Sequence, residues 1–182
     1  MRADAQRNYD RIVETAREVF REKGYDAPLD DVAKRAGVGP GTLYRHFPTR
    51  DDLYDAVMRP WVERVEDATE KALAREGTPR DVLLGWFTTY VELLTSHKGG
   101  AAKITTAIGV PDSPIRTKCQ SLVASNARVL DALDEQGVLK PGADAVQVSR
   151  LIGGVATVAD QSELSADAVQ PLLEVIADGL LA

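Results

Sequence analysis

One cysteine and two histidines make up the whole supply of thiol and imidazole groups in this 182-residue chain. Cys119 alone cannot form an internal disulfide, so a reducing, cytoplasmic setting is the expectation. Metal chemistry is poorly supplied, and neither a metal nor another cofactor is expected. Glycine-rich phosphate loops and nucleophile motifs are also missing, so the chain does not read as an enzyme and no catalytic residue is assigned. Long hydrophobic runs are lacking. The longest, around Leu151 to Ala159, is interrupted by Gly153 and Gly154 and falls far short of the roughly 20 residues that span a bilayer. The N-terminus carries charges where a secretory signal would be apolar, so neither export nor a membrane partner is expected.

Acidic residues are absent from one stretch of the first fifty residues. The chain as a whole is acidic, with 28 Asp/Glu against 22 Lys/Arg and a net charge of −6. Residues 1–50 hold ten Lys/Arg and eight Asp/Glu, a balance of +2, whereas residues 51–182 hold twelve and twenty, a balance of −8. From Val32 to Arg50 there are four basic residues and no acidic one. A basic tip on an acidic body can hold phosphate locally while the body stays soluble. A solvated helical face would carry the same charges.

What is present is helical periodicity almost throughout. Ile12, Ala16, Val19 and Phe20 lie on one face of a first helix, and Gly24 is placed to stop it. A short helix is predicted from about Leu29 to Arg35, with Asp30 and Asp31 where the dipole favours them. Ala36-Gly37-Val38 breaks it. Gly39-Pro40 opens a third helix that ends near Phe47-Pro48. Thr49 with Asp52 predicts a capping box for a long fourth helix that carries Pro60 inside its apolar stripe, where a kink is expected. Five further helices follow, with Thr78-Pro79 opening the fifth and Ser165 capping the ninth. Tyr90 and His97 fall on the fifth stripe, and Pro111 to Pro114 turns the chain after the sixth. The fold expected is all-α: a three-helix helix-turn-helix head over residues 1–50 and a six-helix regulatory and dimerisation body over 51–182.

Two short helices around Gly37 can cross steeply and send the second into a DNA major groove. Gly39, Pro40, Gly41 and Thr42 make a slim N-terminal end that brings backbone close to base edges, and such an end favours phosphate. Thr42 can hydrogen-bond a base or touch a thymine methyl, and Arg45 can reach guanine or phosphate. Tyr44 and His46 suit phosphate oxygens. Arg50 adds a cation at the start of the next helix. A plain helical hairpin would show the same spacing, with Tyr44 partly in the core and His46 structural.

The segment Ile12…Ala16…Phe20…Gly24-Tyr25…Val32-Ala33…Ala36-Gly37-Val38…Gly41-Thr42-Leu43-Tyr44…His46-Phe47…Leu53 resembles the DNA-binding head of the tetracycline-repressor (TetR) family over about residues 7–57. The resemblance implies DNA contacts at Thr42, Tyr44, His46 and Arg50. It also implies a homodimer on a near-palindromic double-stranded DNA operator, and a small-molecule effector of unknown identity that releases a repressor from it. Three positions depart from the family. Pro28 and Leu29 stand where Thr or Ser commonly opens the second helix, Gly39 replaces a common Ser, and Arg50 replaces a common Lys.

In the body, polar residues interrupt apolar stripes. Trp61, Trp86, Phe87, Tyr90, Leu122 and Asn126 are the candidate lining of an effector cavity; a filled core would use the same residues. The last two helices carry Leu151, Ile152, Val155, Leu172, Leu173 and Ile176, more apolar surface than a terminal hairpin needs, and are the candidate dimer interface. Both could instead complete the monomer's core. Pro60, between head and cavity, is either a pivot for effector-driven motion or a simple kink.

Overall fold

The computed structural model describes residues 2–24, 26–96, 98–110, 113 and 115–182. Tyr25, His97 and most of the turn expected over 111–114 lie outside the described residues. Among those described, the chain is all helical: α1 Arg2–Lys23, α2 Leu29–Arg35, α3 Pro40–His46, α4 Arg50–Leu73, α5 Pro79–Thr95, α6 Gly100–Ala107, α7 Arg116–Asp134, α8 Ala145–Ser162 and α9 Ala166–Leu180. Packing divides it into two compact units, Met1–Pro60 and Trp61–Ala182. The division lies inside α4, which continues as helix through Pro60.

The first unit is built around the stripe of α1. Ile12, Ala16 and Val19 are fully buried, with Val32 of α2, Leu43 of α3 and Leu53 of α4. Phe20 meets the ring of Tyr54 at 5.8 Å. Gly24, at φ +85, ends α1, its N–H donating to the Phe20 carbonyl at 3.0 Å. Thr49 and Asp52 form the expected capping box, each backbone N–H donating to the other's side chain at 2.9 and 3.1 Å. Two orphan donors at the start of α4 are thereby satisfied.

The second unit is one core. Trp86, Phe87 and Tyr90 of α5 are wholly buried, together with Leu122 of α7 and Ile152 of α8. Burial of each such side chain contributes ~1.5–3 kcal/mol. Thr78 and Asp81 cap α5 reciprocally. Asp144 caps α8, accepting from the Gln147 N–H at 2.8 Å. Ser165 stands at the N-cap of α9, but its side chain makes no capping bond, contrary to the sequence reading; Asp167 in the first turn provides the negative charge there. α6 and α8 approach closely at Gly153, where a methyl group would lie 2.3 Å from the Thr105 hydroxyl. Arg128 of α7 binds Glu66 and Glu70 of α4. Leu139 pairs with Leu181 in an isolated antiparallel bridge that ties the α7–α8 loop to the chain's last residues.

Candidate nucleic-acid interface

The turn between α2 and α3 is closed by backbone alone. The Val38 N–H donates to Ala33 at 3.0 Å and the Gly37 N–H to Lys34 at 3.2 Å. This double closure needs a left-handed residue between them, and Gly37 supplies it at φ +64. No side chain caps α2 at Pro28, as the departure from Thr or Ser implies. Asp31 instead holds Lys23 at 2.7 Å, and this bond pulls its carboxyl below the ordinary range. Arg35 is tied to Glu22 at 2.8 Å.

Because Leu43 and Phe47 are buried, α3 turns its opposite face outward. Gly39, Pro40, Gly41, Tyr44 and Arg45 are exposed, and Thr42 is half-buried. Tyr44 keeps 46% of its surface, so within this chain its ring is only partly covered and its outer side faces solvent. A methyl group on Gly39 or Gly41 would meet nothing within 4 Å, and neither needs positive φ. The fold therefore does not require glycine at either position, and the space they leave open faces outward. His46 is half-buried, its ring 6.1 Å from Tyr9 in an edge-on contact, and Tyr9 also meets Phe47 at 5.0 Å. One side of His46 is thus structural. Arg45 folds back on its own helix, Nε donating to the Gly41 carbonyl at 3.1 Å. Arg50 donates to the Ala27 carbonyl, joining the chain just before α2 to the start of α4. The slim N-terminal end, the exposed Tyr44 and Arg45, and the absence of acid from Val32 to Arg50 make one surface suited to a phosphate backbone.

In the second unit the residues read as a cavity lining are packed against one another. The Trp86 indole N–H donates to Asn126 at 3.0 Å, and the Asn126 amide donates to the Ala145 carbonyl and the Ser149 hydroxyl, both at 3.0 Å. The Tyr90 hydroxyl is buried beside Ser149 but out of hydrogen-bond geometry, and it has no partner among the described residues. Burial raises its ionisation well above the usual phenol range. The Trp61 ring lies 5.1 Å from the Lys118 ammonium. Two apolar clefts open elsewhere. One, of about 490 Å³, runs along Ile108, Cys119, Val123 and Val146 with Arg116 and Gln120 at its edge. The other, of about 240 Å³, lies between α5, α8 and α9 along Val91, Leu164 and Val169. None of the six sequence-derived residues is on either wall. On the last two helices, Ile152 and Leu173 turn into the unit's own core. Leu151 is 56% exposed and Leu172 40%, with Val155 and Ile176 half-buried. Val158 and Val175 are exposed with them.

The sequence pattern of bacterial regulatory proteins of the tetR family matches residues 12–57. That of the SbtR-like transcriptional regulator C-terminal domain matches residues 78–182. The chain belongs to the TetR family of transcriptional regulators.

Its TetR head is the DNA-binding part. HTH-type regulators of Staphylococcus aureus are 46% identical over 54 residues, 29% of this chain and 29% of theirs. A fatty acid metabolism regulator protein of Bacillus subtilis is 27% identical over 156 residues, 80% of this chain and 78% of its own. A TetR transcriptional regulator of Streptomyces coelicolor is 30% identical, with a TM-score of 0.53 over 95% of this chain and 98% of that one. The Bacillus subtilis regulator FadR, solved with stearoyl-CoA, shares the fold at a TM-score of 0.66 and 21% identity, over 94% of this chain and 98% of that one. Among the described residues, no helix of this TetR-family chain is long and apolar enough to cross a membrane. Two contributors to its architecture escaped the sequence reading. Tyr9 lies three residues before Ile12 on the α1 stripe, which was a usable signal. Ser149 sits beside Val148 and carries none.

Proposed function

We propose that this protein is a repressor that holds a near-palindromic operator as a homodimer and releases it when a small amphiphilic molecule enters its body. The observation that carries the reading is the exposed N-terminal end of α3, where Gly39 and Gly41 leave open space that the fold does not use. In this reading residues 1–50 are the head and 51–182 the sensing and dimerisation body. Gly39, Pro40 and Gly41 admit the duplex to the backbone of α3. Thr42 and Arg45 read base edges, Arg45 after leaving the Gly41 carbonyl, while Tyr44, His46 and Arg50 hold phosphates. Leu151, Val155, Leu172 and Ile176 make the two-fold contact, with Gly154 leaving room for the partner's helix. Ile152 and Leu173 hold α8 and α9 in place beneath it.

The name of the Bacillus subtilis relative supports an effector with an acyl chain. The cleft beside α7 is the entrance we favour, because it is apolar and Cys119 on its wall belongs to the same buried cluster as Tyr90. Trp61, Trp86, Phe87, Tyr90, Leu122 and Asn126 then form the layer that an incoming chain would press on.

The test is retardation of the protein's own upstream DNA across a salt series, with Arg45→Ala and Thr42→Ala beside the wild type, then with stearoyl-CoA added. Expected are sequence-dependent binding that weakens with salt and with Arg45→Ala, a relaxed base preference for Thr42→Ala, and release by the acyl thioester. Binding indifferent to sequence would refute the operator reading; intact complexes at saturating thioester would refute the effector alone.

A further inference from the structure

We propose that the cleft between α4 and α5 is a binding site for a phosphate-bearing small molecule, distinct from the operator surface and from the apolar cleft beside α7. The cleft has a volume of about 360 Å³ and is lined by Arg64, Asp67, Lys71, Arg75, Gly85 and Thr89 over a floor of Ala68 and Ala72. Three cations and one carboxylate therefore share a concavity in a region, residues 51–182, whose overall balance is −8.

Among the described residues, several other cations of this unit are engaged, although Lys103 on α6 is not. In the same unit Arg80 is held by Asp178, Lys98 by Glu163 and Arg128 by Glu66 and Glu70. Lys140 and Arg150 reach backbone carbonyls. Arg64, Lys71 and Arg75 make neither a hydrogen bond nor an ion pair among the described residues. The cause is visible on α4 itself. Two of the acidic residues of α4, Glu66 and Glu70, are turned to α7, where Arg128 occupies them, while Arg64 and Lys71, at i and i+7, share the stripe facing α5 with Asp67, and Arg75 follows two residues past the end of the helix. Asp81 lies within electrostatic reach of Arg75, but its carboxylate is engaged by the Thr78 hydroxyl and N–H.

The wall is also shaped for the guanidinium. Glycine inside a helix weakens it, yet Gly85 sits in the middle of α5. A methyl group there would lie 2.5 Å from Arg75 Nη1 and 2.9 Å from its Cζ. The missing side chain lets Arg75 lie along α5. On the next turn the Thr89 hydroxyl donates to the Gly85 carbonyl at 3.0 Å, so its oxygen is left to accept from a ligand hydroxyl. Positive charge extends past Arg64 to the half-buried Lys118 on α7, whose ammonium stands over the Trp61 ring. Two guanidinium forks and an ammonium match the oxygens of a diphosphate, the forks by paired hydrogen bonds and the lysine as a point charge. The volume lies in the range of small-ligand sites, which favours a compact polyanion over a duplex.

Titration calorimetry on the full-length protein without DNA, at low ionic strength, tests the proposal with inorganic pyrophosphate and ADP as probes. Saturable binding of at least one probe is expected, weakened about tenfold or more in the double variant Lys71→Gln/Arg75→Gln and unchanged in Lys103→Gln, which removes an exposed cation on α6. All three positions are exposed, and thermal melts of each variant confirm that it folds. Equal binding by the double variant, or no saturation by either probe up to millimolar concentration, would overturn the proposal. Failure to bind small anions with a loss of affinity for unrelated duplex DNA would overturn it in favour of a DNA-backbone contact. Operator retardation on the same preparation keeps the readings apart, since the operator surface can work whether or not this cleft binds anything.

Discussion

The two units keep their chemistry in opposite places. In the first, the interior is plainly apolar, and the groups with something left to bond stand outside on α3, where glycine opens space and Tyr44 and Arg45 face solvent. In the second, polar groups are inside: Trp86, Asn126 and Ser149 form a closed network across α5, α7 and α8, with the Tyr90 hydroxyl unbonded beside it. A surface that meets a large rigid partner can be assembled from consecutive residues of one helix. An interior that answers to a small molecule has to be assembled from several helices at once.

The contrast can be broken most forcefully at the two cores. Leu43→Ala removes a fully buried side chain from under the interface and should destabilise the first unit by about 3 kcal/mol, read in urea denaturation, with operator binding lost in step. Asn126→Ala leaves the Trp86 N–H, the Ala145 carbonyl and the Ser149 hydroxyl without their partner. It should cost about 2 kcal/mol, while operator affinity of the folded fraction stays near wild type. Equal loss of affinity in both variants would show that the units do not separate these roles.

Gly41→Ala sharpens the comparison because its two effects should have opposite signs. The added methyl group meets nothing in the chain, and alanine is the better helix former by up to about 1 kcal/mol, so the melting temperature should rise. The same methyl group would stand where the duplex approaches, and operator affinity should fall. A variant that gained stability and kept full affinity would remove the argument from open space.

The smallest effect concerns acid. Asp31, Asp81 and Asp178 have their carboxyls pulled below the ordinary range by Lys23, Thr78 and Arg80 respectively. Groups depressed in the folded state contribute stability that is complete above the unfolded carboxylate range near 3.9 and is lost as pH falls through the lower folded values. All three are at the surface, so each contribution is small. Thermal melts from pH 6 down to pH 3 should show wild type losing more stability than Asp178→Asn; parallel curves would mean that the Arg80 pair contributes nothing measurable.

How much could be read from the sequence follows the same division. The first unit was legible because its signals are local: Gly24 and Gly37 at the helix ends, Thr49 with Asp52, and the spacing of Leu43 and Phe47 each fix a conformation within a few residues. Even there, the arrest of Arg50 on the Ala27 carbonyl was invisible, since it joins positions 23 apart. In the second unit the periodicity gave the helices but not what lay between them. Nothing local distinguishes Leu172, which faces out, from Leu173, which faces in. Nor does it show that Asn126 spends its amide on Ala145 and Ser149. The α4–α5 cleft depends on Arg75 crossing to Gly85, a relation that exists only after two helices have packed.

Cys119 offers a practical return on the scarcity with which the sequence began. It is the chain's single thiol, it lines the apolar cleft beside α7, and burial pushes its ionisation up to about 11. At neutral pH only roughly one molecule in ten thousand carries the reactive thiolate, so alkylation should proceed slowly and at one site. Its rate becomes a gauge of how open that wall is, falling as the cleft fills and rising as the helices part. A stopwatch and a maleimide would then follow the inside of the body without any engineered label.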